Sequence, residues 1–324
     1  MKKIARPFAL KSGFSARLVC AGVALAVLGA CSPAQEQPSQ ETTQATSAAA
    51  SAAPSEQASA QETAQPQRIV AVTSDVAGVV LALTGGERVV AVPASVEAPA
   101  GVEATLPPGT DPEVEQVLAL SPDLVITTTR HGGEETLAQQ LEATGVQSLV
   151  VDPEQFGTPE GVAAATRTIG QAIGLKDEAE RQVKQFEEEI AALDAQALTD
   201  GPTALALMVR GPQVMAMDQG LMLPGLITRA GATYQAQAIG LQNTRPIDAE
   251  QLLKANPEVL FVEDFQGKGI APFESLLNNP AVASVPAIQH NRVYVISQSE
   301  ASGISGLKTP EGYRAILNNL KQMN

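Results

Sequence analysis

The sequence contains no tryptophan and only three tyrosines, two histidines and two cysteines among its 324 residues. Both cysteines, Cys20 and Cys31, lie near the N-terminus, so the rest of the chain carries neither a disulfide framework nor a cysteine-based zinc site. The presence of only two histidines, His131 and His290, disfavours a manganese or zinc site, which needs several histidine and carboxylate ligands. With so few aromatic residues, the core must be mainly aliphatic.

Motifs of common enzyme classes are absent as well. The sequence has no Gly-x-Ser-x-Gly elbow, no His-Glu-x-x-His pair and no glycine loop that would cradle phosphate. Its formal net charge of −14 disfavours nucleic-acid partners and electrostatic attachment to anionic lipid. We therefore predict that the protein is not an enzyme. A manganese- or zinc-binding protein, an extracytoplasmic hydrolase, and a sensor or adhesin remain as alternatives.

The first thirty residues predict an export signal. They carry five cations and no acidic residue, and their apolar run over 18–28 is shorter than the roughly 20 residues of a membrane-spanning helix. Leu28-Gly29-Ala30-Cys31 resembles the lipobox of bacterial lipoproteins. That resemblance implies removal of residues 1–30, which would change the formal charge to −19, and a lipid on Cys31 that holds the protein to a bacterial membrane outside the cytoplasm. Which membrane carries the anchor stays open.

The segment after Cys31 predicts a tether. Residues 32–66 contain no aromatic residue and no valine, isoleucine or leucine, so they cannot bury enough apolar surface to offset the entropy of ordering. We assign 31–66 to a disordered tether and the folded part to 67–324. That length is sufficient for two lobes of roughly 100–150 residues each.

Short apolar runs alternate with helical patterns through the folded part. Continuous apolar strands separated by helices are typical of parallel sheets that are covered on both faces. We therefore predict an α/β protein with parallel sheets. The predicted strands cover about 68–72, 89–92, 124–127, 148–151, 204–209, 259–262 and 293–296, and the predicted helices cover a stretch that ends near 84 and about 112–120, 133–143, 221–231, 272–278 and 310–320.

One helical pattern is much longer than the others. Apolar residues recur at three- and four-residue steps between Val162 and Leu193, which predicts a long connecting helix over 159–197, with Gly170 and Gly174 as points where it can bend or break. The pattern lies midway along the folded part. It therefore divides that part into an N-terminal lobe over 67–158 and a C-terminal lobe over 198–324.

An internal repeat links the two halves. The segment from Glu115 to Ile126 recurs as the segment from Glu250 to Phe261, and each copy predicts a short helix that proline ends before a buried strand. A single junction of this kind is common. Two copies at matching points of two halves indicate related lobes.

The chain resembles a known family. Arg68–Thr73 together with Gly85–Val92 is similar to the start of the iron-complex and cobalamin solute-binding proteins of ABC importers, and the two repeat copies are similar to a segment that recurs in both lobes of that family. The resemblance covers about 67–324. It implies two rigid α/β lobes joined by one long backbone helix (the helical-backbone periplasmic-binding-protein fold), a ligand held between the lobes, and no intrinsic cofactor.

The same resemblance implies partners. These are a two-fold ABC permease with its ATPase and a small iron chelate as cargo. We expect the protein itself to be a monomer. Family members dock on arginines of the permease through one surface glutamate per lobe, and Glu115 and Glu250 fall at those positions, with Glu113 as a substitute for the first. The alternative is that these residues are ordinary solvated glutamates at helix starts.

Ligands of such folds bind outside the carboxyl ends of the strands, so the segments after predicted strands supply the candidate contacts. Three arginines there offer paired donors to carboxylate or catecholate oxygens; the alternative is that they are solvated loop arginines or ion-pair partners on an acidic surface. Two methionines, in a predicted loop from Arg210 to Met217, are soft ligands, pocket lining or packing residues. The predicted ligand-binding residues are Thr73, Ser74, Arg130, His131, Arg210, Met215, Met217, Arg245, Phe265 and Gln266.

His131 bears on the identity of the ligand. It follows a predicted strand and could ligate the iron of haem, as an axial tyrosine or histidine does in haem-binding relatives. However, no tyrosine precedes Tyr234, and the segment where relatives carry the axial tyrosine is Pro107–Asp111 here. We therefore place a ferric siderophore ahead of haem, with His131 as a metal ligand only if the ligand is haem. The scarcity of aromatic residues disfavours cobalamin.

Overall fold

The computed structural model describes residues 65–107, 112–130, 132–265 and 267–323. The predicted export signal over 1–30, the predicted lipidation site Cys31 and the predicted tether as far as residue 64 lie outside the described residues, and so do His131 and Gln266. None of the helices in the described ranges is long and apolar enough to cross a membrane.

The first lobe is a five-stranded sheet in which every pair of neighbours is parallel, in the order β3-β2-β1-β4-β5. Its central strands are buried on both faces, as their continuous apolar runs predict. The elements are β1 (Ile69–Ala71), α1 (Ser74–Thr84), β2 (Val89–Pro93), β3 (Ala104–Leu106), α2 (Val114–Leu118), β4 (Leu124–Thr128), α3 (Glu134–Ala143), β5 (Gln147–Val151) and a 3₁₀ turn (Pro153–Gly157).

The connector consists of two helices, α4 (Pro159–Ala172) and α5 (Lys176–Asp194), where the sequence pattern predicts one. The break falls at Gly174, whose φ of 72° is a left-handed conformation that favours glycine. The helices then pack antiparallel: Arg167 forms ion pairs with two glutamates of α5, and a methyl group added at Gly170 would lie 2.2 Å from the Cβ of Ala179. The continuous apolar stripe therefore serves a helical hairpin.

The second lobe is a six-stranded sheet in the order β11-β10-β6-β7-β9, with the short β8 also paired to β6. Neighbours of β10 are parallel, whereas β6-β7 and β7-β9 are antiparallel. The elements are β6 (Thr203–Arg210), β7 (Gln213–Ala216), α6 (Met222–Arg229), β8 (Thr233–Tyr234), β9 (Arg245–Pro246), α7 (Ala249–Ala255), β10 (Val259–Asp264), α8 (Glu274–Leu277), α9 (Pro286–Gln289), β11 (Val293–Ser297), α10 (Gln298–Ala301), α11 (Thr309–Lys321) and 3₁₀ turns at Gln237–Ile239, Ala271–Phe273, Pro280–Val282 and Gly306–Lys308.

The predicted repeat is also a repeat of structure. Ile69 lies opposite Leu124 in the first sheet, and Ala204 lies opposite Val259 in the second, each 135 positions later. In both copies the residue before the proline is left-handed, with φ of 48° at Ser121 and 45° at Asn256. The two lobes therefore share one helix–turn–strand unit, and the predicted α/β fold with two largely parallel sheets is confirmed.

One apolar core runs through both lobes. Alternate residues of β1 separate here: Ile69 joins the larger core, while Val70 joins a smaller one beneath α2 and α3. The larger core continues through buried residues of α1, α4 and α5 into the second sheet. Because interiors are closely packed, this continuity restricts relative motion of the lobes.

Charged and polar contacts tie the helical hairpin to each lobe at opposite ends. At its loop, Arg88 Nη1 donates to the carbonyls of Ile173 (3.1 Å) and Pro66 (2.8 Å). At its open end, Arg229 donates twice to Asp194, at 2.6 Å each, and once to Glu160 at 2.6 Å. The hairpin is therefore fixed to both sheets.

We expect Asp194→Asn to destabilise the protein by about 1–2 kcal/mol at neutral pH, after allowance for solvent screening of this half-buried pair. The hydrogen bonds from Arg229 hold the pKa of Asp194 below its usual range. A carboxyl group whose pKa is lower in the folded state stabilises the fold above its unfolded-state pKa, and this stabilisation is lost as pH falls through the folded-state pKa. The difference in stability between the variant and the parent should therefore vanish in acid. Denaturant unfolding at several pH values, with exposed Asp200→Asn as control, measures this; equal stability at pH 7 would contradict it.

Candidate functional site

The two lobes contact each other around α1. A methyl group added at Gly78 would lie 3.4 Å from the carbonyl oxygen of Ile304, and one added at Gly306 would lie 3.6 Å from Val79. Helix α1 of the first lobe thus packs on the segment that follows β11 in the second. Helix α1 begins directly after β1, so its first turn lies at the edge where ligands of α/β sheets bind, and the contact with the second lobe lies about one turn further along the helix.

A cavity of about 670 Å³ lies between these elements. This volume is within the range of small-molecule sites. Serine hydroxyls are part of its lining, and the Oγ atoms of Ser74 and Ser95 lie 2.7 Å apart. Among the described lining residues, Glu97 and Lys308 are charged. The lining residues, none of them aromatic, are Ser74, Gly78, Leu81, Ala82, Gly85, Ser95, Val96, Glu97, Ala98, Pro99, Ser299, Ile304, Ser305, Leu307 and Lys308.

An ion pair between a buried carboxylate and a partly exposed arginine lies near the cavity. Asp75, next to the lining residue Ser74, is only 1% exposed, and its Oδ2 accepts from Arg130 Nε at 3.0 Å. The hydroxyl of Thr128 lies 3.2 Å from the same oxygen, and the backbone N–H of Val76 donates to Oδ1 at 3.0 Å. The carboxylate is therefore well satisfied, as a buried charge must be.

Arg130 extends from this pair to the second lobe. Its side chain is 38% exposed, and a methyl group added at Gly303 would lie 2.9 Å from its Nη2. Gly303 directly precedes the lining residue Ile304. Arg130 therefore lies at the junction of the lobes, next to the segment that lines the cavity, while its own side chain is not part of the lining.

Three of the predicted ligand residues meet here. Ser74 lines the cavity, Arg130 lies beside it, and Thr73 is buried with its hydroxyl 3.1 Å from that of Thr128. The predicted His131 follows Arg130 but is outside the described residues. The sheet order explains this grouping, because β1 and β4 are neighbours and their carboxyl ends lie side by side.

The other predicted residues do not line this cavity. Arg210 ends β6 opposite Gln213, and Arg245 donates from Nη2 to the carbonyl of Ile239 at 2.8 Å. Phe265 is 38% exposed after β10, next to Gln266, which is outside the described residues.

The two predicted methionines are buried. The segment after Arg210, taken from sequence as a loop, is the β-hairpin of β6 and β7, which turns at Gly211 with φ 58°. Met215 is on β7 and Met217 directly follows it, and they are 6% and 2% exposed. This placement favours packing over ligand contact for both.

Sequence reasoning missed the cavity lining at 95–99 and 304–308, although the rule of searching after strands would have reached the first of these. It also missed Glu263, which ends the apolar run of β10 and is only 4% exposed. Burial raises the pKa of Glu263 to about 7, and no described residue donates a hydrogen bond to its carboxyl group. The signal was a carboxyl at the end of an otherwise apolar strand.

The two glutamates predicted to dock are exposed. Glu115 lies in the first turn of α2 and Glu250 in the first turn of α7, at equivalent points of the repeat. Glu113, the alternative to the first, is exposed immediately before α2. Within the described ranges, no group of three or more histidine, cysteine, aspartate or glutamate side chains is arranged to hold a metal ion.

Two related α/β lobes that face each other across a cavity define a two-lobed solute-binding fold. The family model described as periplasmic binding protein matches residues 69–300, which is most of the chain. The chain therefore belongs to the periplasmic binding protein family, as the sequence resemblance predicts. Membership implies an extracytoplasmic location.

Individual relatives have diverged widely in sequence, with identities of 22%, 28% and 23% to this chain. The Fe(3+)-citrate-binding protein YfmC of Bacillus subtilis (strain 168) is 22% identical over 203 residues, which are 62% of this chain and 62% of that protein, so less than two thirds of the relative is matched. The periplasmic haem-binding protein RhuT from Roseiflexus sp. RS-1, in its apo form, is 28% identical with a TM-score of 0.67, covering 79% of this chain and 98% of that one. The periplasmic haem-binding protein HutB of Vibrio cholerae, 23% identical with a TM-score of 0.68 over 78% and 98% of the two chains, shows the shared fold.

Replacing the buried acid of β10 should remove a pH-dependent weakness. A raised carboxyl pKa means that stability is full below the unfolded-state pKa and declines as pH rises through the folded-state value, here about 7. We expect Glu263→Gln to be more stable than the parent above pH 7, by up to about 3 kcal/mol, and equal to it near pH 4. Thermal unfolding across pH, with exposed Glu188→Gln as control, measures the effect; a parallel offset at all pH values would argue against it.

Proposed function

We propose that this protein is an extracytoplasmic solute-binding lipoprotein that captures an iron chelate between its lobes and delivers it to an ABC permease. The observation that carries the proposal is the cavity between two lobes of common design, in a chain of the periplasmic binding protein family. The shared apolar core supports a mechanism in which the lobes close only slightly around the ligand.

A ferric siderophore or another ferric chelate is the proposed ligand. The cavity offers serine hydroxyls and a nearby arginine, which suit oxygen-rich chelates. Its described lining has no aromatic residue on which a large flat ligand would rest. The relative named for ferric citrate supports the same class.

Haem is the second candidate. It is supported by the 28% identity to a haem-binding protein over nearly that whole chain, and by the position of His131 directly after Arg130. In that case His131 would supply the axial nitrogen, and the transported ligand would still contain iron.

Delivery is proposed to use the lipid anchor and the two glutamates. Lipid on Cys31 and the segment that follows would keep the binder near its permease and raise its effective concentration there. The equivalent placement of Glu115 and Glu250 in the two lobes suits a two-fold permease with one basic socket for each lobe.

Titration of the purified full chain tests the ligand. We expect ferric citrate or a ferric siderophore to bind with a dissociation constant of about 1 µM or tighter. A hundredfold excess over that constant should then stabilise the fold by about 2.7 kcal/mol. Iron-free chelators are the control. If haem gives a new Soret band that disappears in His131→Ala, and no ferric chelate binds, then haem and not a ferric chelate is the ligand.

Substitution of the exposed glutamates tests docking. Glu115→Gln and Glu250→Gln together should lower chelate uptake by cells at least about tenfold, because two charge-assisted contacts with the permease are lost. Affinity for the ligand should not change, since neither side chain lines the cavity. Glu113→Gln tests the alternative docking residue, and exposed Glu188→Gln is the matched control. Uptake that falls with Glu113→Gln and not with the double variant would move the docking role to Glu113.

A further inference from the structure

We propose that Asp75 of the first lobe and Gly303 of the second position Arg130 as a clamp for carboxylate-bearing, anionic ferric chelates. The inference deepens the proposed function and rests on it. In this view Arg130 contacts the ligand, whereas Asp75 and Gly303 act through Arg130 and are positioning residues.

The first step is the bond that fixes the guanidinium. Asp75 is 1% exposed and accepts from Nε of Arg130, while Thr128 and the N–H of Val76 supply its other hydrogen-bonding contacts. A carboxylate held on several sides cannot follow the arginine if it moves. It therefore anchors Nε in one place and removes much of the rotamer freedom of this long side chain.

The second step is the edge that remains. A guanidinium has a planar fork of five donors, and use of Nε leaves the terminal Nη1 and Nη2 as a pair with the spacing of a carboxylate. Within the described residues, neither terminal nitrogen donates a hydrogen bond. The side chain as a whole is 38% exposed at the junction of the lobes, where a ligand held between them would meet it.

The third step is the space on the other lobe. Gly303 lies so close to Nη2 that a methyl group there would be 2.9 Å away, inside normal contact distance. The backbone at Gly303 is not left-handed, so glycine is not required there by conformation. The absence of a side chain instead leaves room for the guanidinium at the lobe junction.

The fourth step is electrostatic. The chain has a formal charge of −14, which repels an anionic chelate at long range. Binding of such a ligand needs cationic donors at fixed points; the terminal nitrogens of Arg130 and the ammonium of Lys308 are the candidates, alongside the acidic groups of Asp75 and Glu97. A neutral chelate has no such need, so the clamp sets selectivity between anionic and neutral ligands.

The test compares two probes on one set of variants. Ferric citrate is the anionic probe, and a neutral ferric trihydroxamate is the other. We expect Asp75→Asn, Gly303→Ala and Arg130→Ala each to weaken ferric citrate binding by about tenfold or more, and to change trihydroxamate affinity less than about twofold. The ratio of the two affinities does not depend on the folded fraction, so a general loss of structure cannot imitate the result.

Matched controls and a double variant sharpen the test. Asp177→Asn removes the same charge from an exposed site, and Gly225→Ala adds a methyl group where contact is ordinary at 3.9 Å. Neither should alter the ratio. In the Arg130→Ala background, Asp75→Asn and Gly303→Ala should have no further effect on ferric citrate, because both act through the arginine.

Gly303→Ala is the decisive variant if Asp75→Asn folds poorly, because its added methyl group meets only the flexible end of an arginine. Equal losses for both probes, additive effects in the double variants, or wild-type protein that binds only the neutral chelate would each overturn the clamp while leaving the proposed function intact. Wild-type protein that binds no ferric chelate would overturn both.

Discussion

The structure depends on one constraint: two sheets with separate folds share a single apolar core through the α4–α5 hairpin. Arg88 holds one end of that hairpin, and Arg229 holds the other through Glu160 and Asp194. Because the hairpin is tied to one lobe at each end and its apolar residues join the shared core, packed side chains restrict the distance between the carboxyl edges of the lobes. This packing sets the width of the cavity, and large closing motions of the lobes would require the core to repack.

The repeat explains why the two edges meet. Each lobe contains the same helix, left-handed turn before proline, and buried strand, with Asp123 and Glu258 donating their N–H groups to equivalent carbonyls of Arg68 and Thr203. Equivalent units place equivalent surfaces on the two lobes. The exposed glutamates at their helix starts are therefore presented as a pair, whereas the cavity between the lobes is asymmetric, because its contacts come from α1 on one side and the segment after β11 on the other.

Two buried carboxyl groups illustrate how the site treats charge. Asp75 has a cationic partner and hydrogen-bond donors, which offset the cost of burying its carboxyl group. Glu263 has burial without a donor among the described residues, and its pKa is raised accordingly. The first arrangement fixes an arginine at the lobe junction, and the second makes the stability of the C-terminal sheet depend on pH. Both lie at or near the carboxyl ends of strands, where a binding site concentrates polar groups that a core would otherwise exclude.

The sequence by itself determined the alternation of the longer strands and helices, the two-lobed design and the matching positions of Glu115 and Glu250, because these follow from local periodicity and from a repeat that is visible in one dimension. The short strands β3, β8 and β9 carry no such pattern and were not predicted. The sequence could not separate one helix from two across 159–197, since a single apolar stripe satisfies both, and it took the β6–β7 hairpin for a loop. Only the tertiary structure decided that Asp75, Arg130 and Gly303 meet and that Met215 and Met217 pack inside. Those contacts join residues far apart in the chain, and no local pattern encodes which of them the shared core brings together.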